Sequence, residues 1–191
     1  FEGLPFTVID SQVLMHVHHI QENTDYRFEI WTFAASKALY TLSLNRIKHA
    51  ENLSGAKVRV FPALRPSVPF SHFFNAQKIK YLLMARNKPF AMIHARTDYT
   101  AACCSQISNL MGIPVIWDCR GAAMAEFLDH YKAKNFLDRG FAFLKIRALK
   151  KTRILAASGT AGAIFVSHPL EELNRDVYPS KPREVIPCAA A

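Results

Sequence analysis

Three residues that could bind a charged ligand, Asp118, Arg120 and Gly121, follow the apolar run VIW at 115–117. A guanidinium presents a planar set of donors that fits a phosphate or a carboxylate, and a carboxylate can orient it or accept hydrogen bonds from hydroxyl groups. In open α/β sheets, ligands bind outside the carboxyl ends of the strands. We therefore predict that these residues line a binding site. A local ion pair that only holds the turn is the alternative.

The same arrangement occurs one unit earlier, where His94 and Arg96 follow the apolar run FAMI at 90–93. Asp98 then begins the next helical stretch as a cap residue. If the two strands are neighbours in the sheet, His94 and Arg96 lie at the same sheet edge as Asp118 and Arg120. We do not interpret His94 as a general base, because a histidine at a strand end can simply bond to a backbone carbonyl.

The elements that must position these residues alternate between strand and helix. We predict helices at about 9–20, 37–50, 71–86, 99–111 and 169–174, and strands at 26–33, 58–61, 90–94, 115–118, 163–166 and 184–187. The segment 122–158 is expected to form two helices divided at Gly140. This alternation is typical of an α/β fold with a doubly wound, mostly parallel sheet and helices on both faces.

The length and the charge of the chain limit the classes of protein to which it can belong. Half of the 191 residues are apolar, which suits one domain over 1–191. The 24 Lys and Arg outnumber the 15 Asp and Glu, and this balance favours phosphates, anionic lipids or acidic ligands without choosing among them. No apolar stretch approaches the roughly 20 residues that span a bilayer, and no signal peptide opens the chain. We expect a cytoplasmic protein, soluble or peripheral at the inner face of the membrane.

Cysteines and histidines give no sign of a metal site. The four cysteines lack C-x-x-C spacing and are expected to be reduced and buried, with Cys119 facing away from Asp118 because side chains alternate along a strand. His16 and His19 are spaced for one helix face, but no thiol or carboxylate cluster accompanies them. The chain also lacks Asp-x-Asp spacing, which would place two carboxylates for a metal ion. We predict no metal.

A strongly basic stretch covers 132–153, where eight Lys or Arg residues accompany one acid and several Phe and Leu residues. One interpretation is a solvated cationic face on a core helix. The other is docking to an anionic membrane surface, with Lys145, Lys150 and Lys151 facing the lipid. Nucleic acid is not expected as a partner, because no helix-turn-helix, RNA-binding aromatic motif or zinc-finger spacing is present.

Several motifs in order carry a family resemblance: IHARTDYTAA, GIPVIWDCRG, the long basic helical region, AGAIFVSHPLEEL and REVIPCAA. This series resembles the N-terminal, acceptor-side domain of GT-B glycosyltransferases, especially the retaining family 4. The resemblance implies a Rossmann-like domain that forms one half of a GT-B architecture. It also implies transfer of a sugar from a nucleotide-diphosphate sugar to an acceptor hydroxyl with retention, in cell-surface polysaccharide or glycolipid synthesis.

The resemblance also assigns residues and partners. Gly3 would be the remnant of a Gly-rich turn whose strand is missing, and it would line the acceptor cleft with the residues described above, His94, Arg96, Asp118, Arg120 and Gly121. Ser167 would cap the next helix and border the interdomain cleft. The donor would bind a second domain after Ala191, so this chain alone is expected to be inactive, with a sugar or lipid-linked acceptor and no cofactor. Catalytic residues stay unassigned, and a non-catalytic basic binding module is the alternative.

Overall fold

The computed structural model describes residues 4–5, 7–68, 70–132, 135–178 and 180–187. The chain divides into two compact units, the first ending at Asn75 and the second comprising Ala76–Pro187. Gly3, which the resemblance assigns to a ligand-binding turn, lies outside the described residues, as does Cys188.

The first unit contains a pair of parallel strands and its connecting helices. Its elements are α1 (Thr7–Ile9), a π-helical segment (Asp10–Leu14), α2 (Met15–Asn23), β1 (Glu29–Ala34), α3 (Lys37–Asn45), α4 (Ile47–Ser54) and β2 (Lys57–Pro62). The helix α5 (Ser71–Met84) begins in this unit and continues into the second. The register of β1 and β2 runs from Glu29 opposite Lys57 to Ala34 opposite Pro62.

The alternating burial along β2 shows how the β1–β2 pair packs on the core of the first unit. Val58 and Val60 are buried, whereas Lys57 and Arg59 are exposed, so one face of the strand joins the core and the other meets solvent. The core also includes Leu4, Ile9, Leu14, Ala34 and Ala50. The α4 helix ends at Gly55, whose φ of 68° is the left-handed conformation that glycine adopts without strain.

The second unit contains four parallel strands in the order β3-β4-β5-β6. Its elements are β3 (Ile93–Arg96), α6 (Asp98–Met111), β4 (Val115–Cys119), α7 (Ala123–His130), α8 (Phe136–Gly159), β5 (Gly162–Phe165), α9 (His168–Leu173) and β6 (Arg183–Val185). Gly112 ends α6 with a φ of 66°, as the sequence predicts.

Small side chains let α6 and α8 pack closely. Ala101, Ala102 and Cys103 of α6 and Ala156 and Ala157 of α8 are all buried. Gly159 lies directly against Ser105, where a Cβ built on the glycine would come 2.6 Å from the Ser105 Cα. This contact requires glycine because no other side chain fits the space.

Several sequence-based boundaries are wrong. The strand predicted at 26–33 begins only at Glu29, where pairing with β2 starts. The helix predicted at 37–50 is two helices, because the Arg46 N–H turns back to the Ser43 carbonyl oxygen at 3.1 Å and separates α3 from α4. The strand predicted at 90–94 begins only at Ile93 and continues to Arg96, because pairing with Val115–Asp118 sets its position.

Gly140 lies inside α8 and does not divide it. The break falls earlier, after α7 ends at His130 and before α8 begins at Phe136. The Asn135 side-chain oxygen accepts a hydrogen bond from the Asp138 N–H at 2.8 Å and caps α8.

The predicted fold class is confirmed. Strands and helices alternate along the chain, both sheets are parallel, and helices flank them. Parallel strands joined by helices bring their carboxyl ends to one edge of a sheet, which is where the candidate residues of β3 and β4 lie.

Candidate functional site

The β3 and β4 strands place three of the predicted site residues on one face of the sheet. His94 and Arg96 are two residues apart on β3, and Arg96 is the register partner of Asp118 on β4. Because side chains alternate along a strand, these residues share one face, while Ala95, Trp117 and Cys119 point to the other.

Asp118 is the centre of the site. Its carboxylate is almost completely buried, with only 3% of the side chain exposed. The Arg120 Nε lies 2.7 Å from Oδ1, and the His94 Nε2 lies 3.3 Å from Oδ2. We call His94, Asp118 and Arg120 the Asp118 cluster. The ion pair between Asp118 and Arg120 is present, and the structure adds His94 to it.

The side chains of Arg120 and His94 keep this buried acid ionised. Burial by itself would raise the pKa of Asp118, but hydrogen bonds and charge from His94 and Arg120 outweigh it, so that the pKa lies below the ordinary value. The His94 side chain is 35% exposed and that of Arg120 is 19% exposed. The cluster is therefore a buried carboxylate that holds two donors, both of which reach solvent.

The hydrogen bond to Asp118 also fixes the chemistry of His94. A proton on Nε2 serves this bond, so in the neutral imidazole Nδ1 has a lone pair and accepts hydrogen bonds. A hydroxyl group is a suitable donor for that nitrogen. The arrangement can therefore hold the hydroxyl group of a ligand at Nδ1.

Thr97, immediately after β3, has an unusual backbone. Its φ of 76° and ψ of 156° are a combination that residues other than glycine rarely adopt. The Thr97 N–H donates to the Asp118 carbonyl oxygen at 2.9 Å, which ties this residue to β4. Thr97, and not Asp98 as predicted, is the N-cap of α6, and its side chain makes no capping hydrogen bond. Such strain is typical of backbone next to functional sites.

A second acid, the half-buried Asp98, lies on the opposite face of β4. The Trp117 Nε1 donates to Asp98 Oδ1 at 3.2 Å, and the Cys119 thiol lies 3.6 Å from the same oxygen. Burial raises the pKa of Asp98 despite these hydrogen bonds. Cys119 is buried and faces away from Asp118, as the sequence predicts, and burial raises the pKa of its thiol.

The other cysteines that the structure describes behave as predicted. Cys103, Cys104 and Cys119 are free and buried. Burial raises the pKa of both Cys103 and Cys104 to about 12, so neither thiol is reactive at neutral pH. Within the described ranges, no group of three His, Cys, Asp or Glu side chains could hold a metal ion.

Two further predicted site residues have local roles. A Cβ on Gly121 would meet the Glu126 Oε1 at 2.7 Å, so glycine leaves room for that carboxylate to accept a hydrogen bond from the Ala122 N–H at 3.2 Å. Ser167 caps α9, because its hydroxyl accepts a hydrogen bond from the Leu170 N–H at 3.4 Å. The predicted capping role of Ser167 is therefore confirmed.

The first unit contains a cavity that the sequence analysis missed. Its volume is about 280 Å³, and it opens where β1 and β2 end and α3 begins, between Ala34, Ala35, Ser36, Lys37, Tyr40, Pro62 and Ala63. The Ser36 hydroxyl caps α3 by accepting from the Leu39 N–H at 3.2 Å. The signal in the sequence was the small residues of the strand-to-helix junction AAS at 34–36, which leave space.

The basic residues of α8 fall on different sides of the helix. Lys150 and Lys151 are exposed, whereas Lys145 is half-buried. His16 and His19 of α2 are exposed. None of the helices in the described segments is both long enough and apolar enough to cross a membrane.

Comparisons with known proteins support the fold but not a family. No protein-family model matches the sequence, and no curated protein matches it. Among solved structures, the chain is similar to apo UGT2 of Phytolacca americana, a UDP-glycosyltransferase with the GT-B fold, with a TM-score of 0.55 and 11% identity. The match covers 99% of this chain and 50% of that one, so the chain spans about half the length of UGT2. This likeness shows a Rossmann-like fold of the kind that forms half of a GT-B enzyme.

Proposed function

We propose that this chain is the acceptor-binding domain of a glycosyltransferase. The intact enzyme would transfer a sugar from a nucleotide-diphosphate sugar to an acceptor hydroxyl in the cytoplasm, with retention, in the synthesis of a cell-surface polysaccharide or glycolipid. The motifs that resemble family 4 and the likeness to half of a GT-B enzyme support this proposal. The donor would bind a second Rossmann-like domain.

The observation that carries the proposal is the Asp118 cluster at the ends of β3 and β4. Sugars are recognised through hydroxyl groups, which need both donors and acceptors in fixed positions. The ionised carboxylate of Asp118 holds Arg120 and His94 within 2.7 Å and 3.3 Å of its oxygens, so neither side chain has to be ordered when a ligand arrives. Arg120 and His94 bind acceptor hydroxyls, and Asp118 is the positioning residue.

The test uses the protein encoded by the whole gene that contains this sequence. Release of nucleoside diphosphate from UDP-sugars and GDP-sugars would be measured with a panel of sugar and polyprenyl-phosphate-sugar acceptors. The exposed Arg175 of the turn after α9 provides a matched control, so R120K is compared with R175K. We expect R120K to raise the acceptor KM at least tenfold and R175K to leave it unchanged. The absence of release with every donor would overturn the proposal, and an inverted product would overturn retention alone.

A non-catalytic binding module is the second candidate, favoured by the cationic surface of α8. In that case the gene would encode no donor-binding domain. The protein would still bind an anionic partner through α8, while R120K would change nothing except stability. The same release assay therefore separates the two candidates.

A further inference from the structure

The first half of α8 exposes large apolar side chains along one face. Phe136 is 85% exposed, Leu137 80%, Phe141 56%, Phe143 59% and Leu144 66%. With 3.6 residues per turn, these side chains cover one broad side of the helix. Monomeric proteins seldom expose contiguous apolar surface of this kind, and where they do it usually contacts a partner or a membrane.

Two exposed cations, Arg147 and Lys151, lie on the same side of the helix, and two more, Arg139 and Lys150, lie along its edge. The Arg147 guanidinium carbon lies 5.8 Å from the centre of the Phe143 ring, which shows how closely charge and apolar surface are interleaved. Asp138 is the only acid in α8, and it is half-buried on the other side of the helix. We name this surface the α8 face. It has no negative charge of its own.

The second half of α8 anchors the helix to the protein. Ala156 and Ala157 are buried, Gly159 packs on Ser105 of α6, and Lys181 donates hydrogen bonds to the carbonyl oxygens of Ala157, Ser158 and Thr160 at 2.8, 2.7 and 2.7 Å. The α8 face is therefore presented on a helix that is fixed at its other end, and it need not be ordered on binding.

We propose that the α8 face docks on the surface of an anionic lipid bilayer. Phe and Leu side chains enter the boundary between headgroups and acyl chains, and the Lys and Arg side chains bind the lipid phosphates, a division that basic amphipathic helices use at membranes. Charge complementarity selects this partner. A second copy of the chain would bring four cations of one face towards the same four of the other, which repel.

The inference does not depend on the proposed sugar transfer, because vesicle binding involves neither the Asp118 cluster nor a sugar. For a transferase with a lipid-linked acceptor, such docking would bring the reaction to the membrane surface. The two proposals can fail separately, since the vesicle assay contains no donor and the release assay can use a water-soluble acceptor.

The experiment is co-sedimentation of the 191-residue chain with vesicles. Vesicles of phosphatidylcholine alone are compared with vesicles in which about one third of the lipid is phosphatidylglycerol. We expect binding to the anionic vesicles and little binding to the neutral ones, with the anionic binding weakened by high salt. Equal binding to both vesicles, or binding to neither, would overturn the proposal.

Two variants and a matched control locate the binding surface. K150Q/K151Q should lower the partition coefficient roughly thirtyfold, and F136S/L137S at least tenfold. K48Q/K88Q removes the same charge from two exposed lysines in α4 and in the turn after α5, and it should bind like the unmodified chain to within about twofold. Circular dichroism and thermal unfolding show that each variant is folded.

Two other outcomes would identify a different partner and overturn the proposal. If the chain dimerises in sedimentation equilibrium and F136S/L137S abolishes the dimer without changing vesicle binding, the α8 face is a contact between copies. If duplex DNA binds more tightly than the vesicles and F136S/L137S leaves DNA binding intact, the cations serve nucleic acid.

Discussion

His94 and Asp118 face each other across the β3–β4 pair, with the His94 Nε2 3.3 Å from the Asp118 Oδ2. The pair exists because β3 and β4 are parallel neighbours in a register that places both side chains on one face. The carboxylate is buried while the imidazole reaches solvent, so the charge that orients His94 is protected from water and from salt.

Replacing Asp118 should cost stability in a way that depends on pH. D118N removes the negative charge and leaves one acceptor oxygen, with an NH2 donor in place of the other, so Arg120 and His94 can no longer both donate to this side chain. We expect the free energy of unfolding at pH 7 to fall by about 2–3 kcal/mol. Because the folded-state pKa of Asp118 is depressed, its contribution is present above about pH 4 and is lost as the pH falls through the folded value.

Urea unfolding at pH 7 and at several lower pH values measures this difference. D129N, which changes an exposed Asp on α7, is the control and should stay within about 0.5 kcal/mol of the unmodified chain. A loss for D118N that is the same at every pH would show that the charge of Asp118 is not what stabilises the site.

Replacing Asp98 should instead increase the free energy of unfolding at pH 7. Burial raises the pKa of this carboxyl, so the unmodified chain loses stability as the pH rises from about 4 through that raised value. D98N keeps an oxygen to accept from Trp117 and Cys119 and carries no charge. We expect it to gain up to about 1 kcal/mol at pH 7 and nothing at low pH, as measured by the same urea titrations. A loss of stability at pH 7 would contradict this account.

Two glycines of α8 should respond oppositely to alanine. G159A would force its Cβ against Ser105 and separate α6 from α8, so the free energy of unfolding should fall by about 2–3 kcal/mol. At Gly140 nothing lies within 4 Å of the new Cβ, and G140A should gain about 0.5–1 kcal/mol because alanine favours helix. Thermal and urea unfolding of both variants check this. If G159A is as stable as G140A, the two helices do not pack as described.

Lys181 should stabilise the carboxyl end of α8. Its ammonium group donates to three carbonyl oxygens there, two of them at 2.7 Å and one at 2.8 Å. K181M keeps the aliphatic part and removes the donors, and we expect a loss of about 1–2 kcal/mol. Urea unfolding of K181M beside K151M, an exposed lysine of the same helix, measures the difference. An equal effect of the two substitutions would refute the capping role.

The α/β class and the charged residues at the ends of β3 and β4 could be predicted from the sequence, because both follow from patterns within short segments of the chain. Gly55 and Gly112 end helices with positive φ, as their positions after apolar helical runs indicate. Gly140 misled the prediction because a glycine can also lie inside a helix, and the capping bond of Asn135 decides where α8 begins.

Sequence patterns could not predict contacts between residues that are far apart in the chain. The start of β3 at Ile93 depends on its register with β4, and the bond between Trp117 and Asp98 joins residues 19 positions apart. The bond from His94 to Asp118 depends on the same register. The cavity at Ser36 was missed because it results from space between elements and not from residues that could do chemistry.

The central claim is that the Asp118 cluster binds an acceptor sugar, and the most direct measurement is nuclear magnetic resonance of the histidine rings during titration with soluble oligosaccharides. We predict that an acceptor shifts the His94 ring signals, that the exposed His168 on α9 does not respond, and that D118N abolishes the His94 shift. If no oligosaccharide shifts His94, or if His94 and His168 shift alike, the cluster is not a sugar site.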